Sequence, residues 1–188
     1  MRFYGALLCF FGCIAGHAAD VNIATLSCAK YQNEFIASPG SSAGEDPINT
    51  MMWLFGYSVA HSGAHVMYGD ALASFGFALD AECKGHPAES LLDALAAVKP
   101  DAKNPMDLIA LECRTFATRH LELVHSDAES AKTIMMWLFG FAVAQSGGHI
   151  FDAGGVGAFE AALMSDCKKY PSRTLFNALA AVKFGKLR

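Results

Sequence analysis

Cysteine and histidine are the side chains most able to do chemistry in this chain of 188 residues, which holds six of the first and seven of the second. Cys9 and Cys13 fall in an apolar N-terminal stretch, leaving Cys28, Cys83, Cys113 and Cys167. A zinc site is disfavoured, because these four stand alone and lack the Cys-x-x-Cys spacing that turns two thiolates towards one ion. An even number at repeated intervals favours a disulfide framework. Four cysteines allow three pairings, and the near-equal separations select Cys28 with Cys83 and Cys113 with Cys167. Closing a loop of this length removes unfolded-state freedom worth roughly 4 kcal/mol. His61 and His65 have the i, i+4 spacing of a helical metal pair, but 84 residues on the same positions read Gln145 and His149. A helix-end histidine that titrates in acid is the better reading. Gly154-Gly155-Val156-Gly157 has no preceding strand and no phosphate-binding Lys-Ser/Thr, so it reads as a loosened helix start. No Ser-His-Asp arrangement, zinc-protease motif or nucleophilic thiol stands out. The expectation is a protein that is not an enzyme and needs neither metal nor cofactor.

The elements that hold these residues come in two copies. Met51-Met52-Trp53-Leu54-Phe55-Gly56 returns as Met135-Met136-Trp137-Leu138-Phe139-Gly140, and residues 47–99 laid on 131–183 are identical at 24 of 53 positions. Residues 1–19 are read apart from the fold. Arg2, the apolar run Leu7 to Ile14 and the small residues Ala15 to Ala19 form a secretory signal, with the mature chain starting near Asp20. Phe10 stands where a lipoprotein signal usually has Leu, which disfavours an anchor at Cys13. The longest later apolar run, Met51 to Ala60, is too short to span a bilayer. The predicted organisation is a signal peptide (1–19), repeat 1 (20–99), a linker (100–104) bounded by Pro100 and Pro105, and repeat 2 (105–188).

Each repeat reads as about four helices, giving an all-α protein of two small bundles, each closed by one disulfide. The first helix carries Cys28, Tyr31 and Phe35, or Cys113, Phe116 and His120. The second is capped by Asp46, starts at Pro47 and presents Trp53, Gly56, Tyr57 and Ala60, or Trp137, Gly140, Phe141 and Ala144. The third ends at Cys83 or Cys167, and the fourth opens at Pro87 or Pro171. A pre-proline residue resists helix, so the linker is read as a short stiff bridge between separate bundles.

Cys28-x-x-Tyr31 and Cys113-x-x-Phe116, then Trp-Leu-Phe-Gly-aromatic, then a Cys followed four residues later by Pro, resemble the HdeA/HdeB family of periplasmic acid-stress chaperones. The resemblance spans both copies; members of that family are usually single units that form homodimers. It implies a periplasmic helical protein, folded and inactive at neutral pH, that loosens in acid and holds unfolding periplasmic proteins soluble. Met51, Met52, Trp53, Leu54 and Phe55, with Met135, Met136, Trp137, Leu138 and Phe139, are the candidate client-binding residues, since flexible thioethers adapt to varied surfaces.

Charge makes acid opening plausible. The mature chain carries 13 basic against 18 acidic side chains, −5 at neutral pH, and about +20 once carboxylates are protonated and six histidines charged. Self-repulsion of that size works against compact packing. Bridged cysteines limit expansion, and exchange is slow where thiolates are scarce. Residues 20–99 sum to −6 and residues 104–188 to +1, which suggests two copies that pack together as an intramolecular pseudo-dimer. Net acidity and the lack of a basic aromatic patch disfavour nucleic acid. The competing reading is a secreted, disulfide-bridged inhibitor or immunity-type protein that binds one folded partner at neutral pH.

Overall fold

The computed structural model describes residues 20–36, 47–68, 71–98 and 105–182. The expected signal peptide with Cys13, the cap at Asp46 and the linker 100–104 lie outside the described residues. The first half runs β1 (Val21–Asn22), α1 (Cys28–Tyr31) continued by a π-helical turn (Gln32–Ile36), α2 (Pro47–His61), β2 (Val66–Tyr68), α3 (Leu72–Gly85) and α4 (Leu91–Ala97). The second repeats that order as β3 (Pro105–Asp107), α5 (Cys113–Ser126), α6 (Ala128–Gln145), β4 (Ile150–Phe151), a 3-10 turn (Ala153–Gly155), α7 (Val156–Lys169) and α8 (Leu175–Ala181). The chain is mostly helical, as predicted.

Local chemistry sets the helix ends. α2 opens at Pro47, whose missing N–H is one that a first turn leaves unbonded anyway. Ser90 and Thr174 cap α4 and α8, their hydroxyls accepting from the N–H of Asp93 at 3.1 Å and of Asn177 at 3.3 Å. α2 and α6 both run out into a Ser-Gly pair in which Gly63 and Gly147 take φ +76°, a conformation that needs glycine. The fourth helices begin at Leu91 and Leu175, later than the prolines expected to open them. Pro87 and Pro171 lie in the preceding loops, and their carbonyls accept the N–H of Ala29 and Arg114, both at 2.9 Å. Each proline loop thus satisfies a free donor in the first turn of α1 or α5.

Within each half a disulfide ties the first helix to the third: Cys28–Cys83 joins α1 to α3, and Cys113–Cys167 joins α5 to α7, each with a Cα–Cα distance of 4.8 Å. These are the pairings predicted. The four strands are a departure from helix throughout. Each is only two or three residues long, too short for an alternating pattern to register, and each pairs across the halves: β1 with β4 and β2 with β3, both antiparallel. Backbone bonds extend both pairs, from Ile23 N–H to His149 C=O and from Leu108 N–H to His65 C=O, each 2.9 Å. One hydrophobic core containing residues of both halves runs through the molecule, in contrast to bundles held apart by a stiff bridge.

Candidate functional site

The seam where α2 meets α6 brings together the duplicated apolar segments Met51 to Gly56 and Met135 to Gly140. Glycine in a helix interior costs about 0.5–1 kcal/mol relative to alanine, so it needs a reason. Here the reason is close approach. A Cβ on Gly56 would lie 2.8 Å from the carbonyl carbon of Trp137, and a Cβ on Gly140 would lie 2.8 Å from that of Trp53. The two glycines therefore let the backbones touch, each against the residue three before the other.

Around that crossing the candidate client-binding residues divide by depth. Trp53, Leu54, Phe55, Met135, Met136, Trp137, Leu138 and Phe139 are buried, whereas Met51 and Met52 are half-buried. Trp53 stacks on Tyr57 and Trp137 on Phe141, with ring centroids 5.3 and 5.4 Å apart. Across the seam Trp53 meets Phe151 edge-on at 5.2 Å, and Phe55 meets Trp137 at 6.4 Å. Such aromatic pairs contribute about 0.5–1.5 kcal/mol beyond area burial. Against this, the indole N–H groups of Trp53 and Trp137 are buried with no hydrogen-bond partner. An unsatisfied buried donor costs about 1–3 kcal/mol. The seam is thus closely packed and carries a built-in penalty.

The two ends of the seam differ. At one, the Tyr57 hydroxyl lies 2.5 Å from His149 Nδ1. Burial pushes the Tyr57 phenol up to about 12, so it stays protonated, and the tautomer of His149 sets which of the two groups donates. At the other end the equivalent residues are Phe141 and His65, and there Phe176 packs edge-on against both rings at 6.2 Å. His65 Nε2 reaches Asp107 Oδ1 at 4.0 Å. His61 ends α2 and stacks on Tyr57, while His65 follows the Gly63 turn, so the two share no helical face. Tyr57 with His149, and His120 with Glu160, are polar pairs that sequence reasoning missed. The available signal was mismatch between copies: Tyr57 stands against Phe141, and Phe35 against His120. Glu82, His86 and Glu89 bring one ligand atom each within 4.8 Å of one another, but His86 is exposed and its Nδ1 already lies 3.0 Å from Glu82 Oε1.

What this geometry can do is conceal and release surface. Paired helices hide a methionine-rich and aromatic face, and each disulfide lies within one half, so the halves can part without breaking either bridge. Fold and seam together define a class: small helical units, each closed by a disulfide, that pack against one another through apolar helices. The model of the HdeA/HdeB family matches residues 92–177, from α4 of the first half into α8. That stretch, a little under half of the chain, is similar to the HdeA/HdeB family. No curated protein and no solved structure matches the chain.

Proposed function

We propose that this protein is a periplasmic acid-stress chaperone whose two tandem HdeA/HdeB-like repeats form an intramolecular counterpart of a homodimer. At neutral pH the halves are closed and inactive; acid parts or loosens them, and Met51 to Phe55 with Met135 to Phe139 hold unfolding client proteins soluble. The observation that carries this reading is the position of the duplicated apolar segment: both copies lie on the paired helices α2 and α6, where Trp53, Phe55, Gly56, Trp137 and Gly140 make contacts between halves near two unsatisfied indole donors. Two disulfides fit an oxidising compartment such as the periplasm, and they keep each half from dispersing once the seam opens.

The test is light scattering of several unrelated denaturing proteins with and without the mature chain. Suppression of aggregation is expected at about pH 3, where most carboxylates are protonated, and none at pH 7. Lack of protection in acid defeats the proposal.

A further inference from the structure

The second half contains a buried polar pair for which the first half has no equivalent. His120 on α5 is 4 % exposed, and its Nε2 lies 2.7 Å from Oε1 of Glu160 on α7. Its Nδ1 is buried with no hydrogen-bond partner, and its ring stacks on Phe116 with centroids 5.7 Å apart. The Glu160 side chain is 38 % exposed, so its carboxylate can take a proton directly from water. Other charges do not compete for the imidazole. α6 offers Glu129 and Lys132, both exposed in its first turns; Asp166 of α7 is held by Arg173 at 2.6 Å; α8 has no charged residue. On α5 itself Arg119, Glu122 and His125 are exposed.

In the first half the corresponding positions are Phe35 and Gly76. Phe35 is buried, and the space over Gly76 is filled by Met51, whose Cε would lie 3.6 Å from a Cβ there. That corner has no imidazole: the group beside Met51 is the Tyr31 phenol, 4.0 Å from its Sδ, and burial, with Asp80, pushes that phenol upward, so it stays protonated throughout the acid range.

We infer that His120 and Glu160 form an acid-sensitive clasp between α5 and α7, so that the second half opens at a higher pH than the first. While Glu160 is a carboxylate, it offsets the charge of an imidazolium beside it. Once it is protonated, a buried imidazolium is left with a neutral partner on one nitrogen and none on the other, an arrangement that burial strongly disfavours. Opening exposes the ring to water and relieves it. The inference rests on the proposed function only for the purpose of opening; the order in which the halves open is a separate property.

Hydrogen exchange read by mass spectrometry, peptide by peptide from pH 7 to pH 2 on the mature chain, tests it. Peptides from residues 113–182 are expected to lose protection at higher pH than those from residues 28–98. Two substitutions should move the second half in opposite directions, each by ~1 pH unit, the usual scale of environmental effects on titration. His120→Phe copies the first half and lowers the pH of opening. Glu160→Gln keeps an acceptor but removes the charge that offsets an imidazolium, and raises it. A merely structural contact would give upward shifts for both. If His120→Phe fails to fold, His120→Gln, which keeps a donor towards Glu160 but carries no charge in acid, takes its place: a lowered opening pH is expected, and an unmoved or raised one overturns the clasp. Simultaneous loss of protection in the two halves also overturns it. Light scattering on the same samples separates the ideas: early opening of the second half without client protection leaves the clasp standing and removes the chaperone.

Discussion

Single atoms decide how closely the halves approach, and Gly56 and Gly140 are where this is sharpest. Gly56→Ala or Gly140→Ala forces a Cβ into the facing backbone, and overpacking of this kind costs about 1–3 kcal/mol or more. Urea denaturation at pH 7 should show that loss, while Gly76→Ala, whose Cβ meets only the movable end of Met51, should be neutral or stabilise slightly through helix propensity. A second residue-scale prediction concerns alkaline pH. Burial raises the phenol of Tyr57 to about 12 and that of Tyr31 still further. Groups that hold their protons more tightly when folded contribute stability below their unfolded value, ~10, and lose it as pH rises through the folded value. The melting temperature should therefore fall above pH 10, and Tyr31→Phe with Tyr57→Phe should flatten that fall. A glycine in the middle of an apolar helix signals close approach from sequence alone. Its partner does not, because Trp137 lies 81 positions further along and no local pattern links the two.

At the scale of elements, caps connect pH to the seam. Asp127 caps α6, the helix that carries Met135 to Phe139, by accepting from the N–H of Ser130 at 3.1 Å. Hydrogen bonds from the Ser130 side chain and backbone hold its carboxyl below the usual 3.8. A depressed folded value means stability that is present above about 3.8 and lost as pH falls through the lower value. Asp127→Asn keeps an acceptor that cannot be protonated in this range. It should leave stability at pH 7 nearly unchanged and move acid fraying of α6 to lower pH, as followed by exchange of the Ser130 and Ala131 amides. Uncapping α4 or α8 by Ser90→Ala or Thr174→Ala should cost about 0.5–2 kcal/mol at neutral pH, measured by thermal melting. Helix number and cysteine pairing were legible at this scale because apolar spacing and repeated intervals are local or duplicated signals. The inter-half strands were not, since two or three residues have no measurable period and their partners belong to the other half.

For the whole molecule, the interlocking of the halves and the large positive charge in acid act against each other. Strand pairing, the glycine contact and a shared core hold the halves together, so at pH 7 the mature chain should be one compact particle with a radius of gyration of about 15 Å, as chain length dictates for a single domain. Small-angle scattering would expose two separate beads as a larger value. Near pH 2 the charge of about +20 favours separation. Because repulsion between exposed charges is screened within ~10 Å at 0.1 M salt and ~3 Å at 1 M, adding inert salt at constant low pH should return the radius towards its neutral value. Loss of caps and clasps is a protonation effect that screening does not reverse. A radius that stays large at 1 M salt would assign acid opening to the local groups, His120, Glu160 and Asp127, and a radius that recovers would assign it to net charge. The sequence-level charge count predicts the second behaviour, whereas the buried imidazole predicts that α5 and α7, still tied by Cys113–Cys167, stay splayed around His120 and Glu160 even after the particle as a whole has contracted.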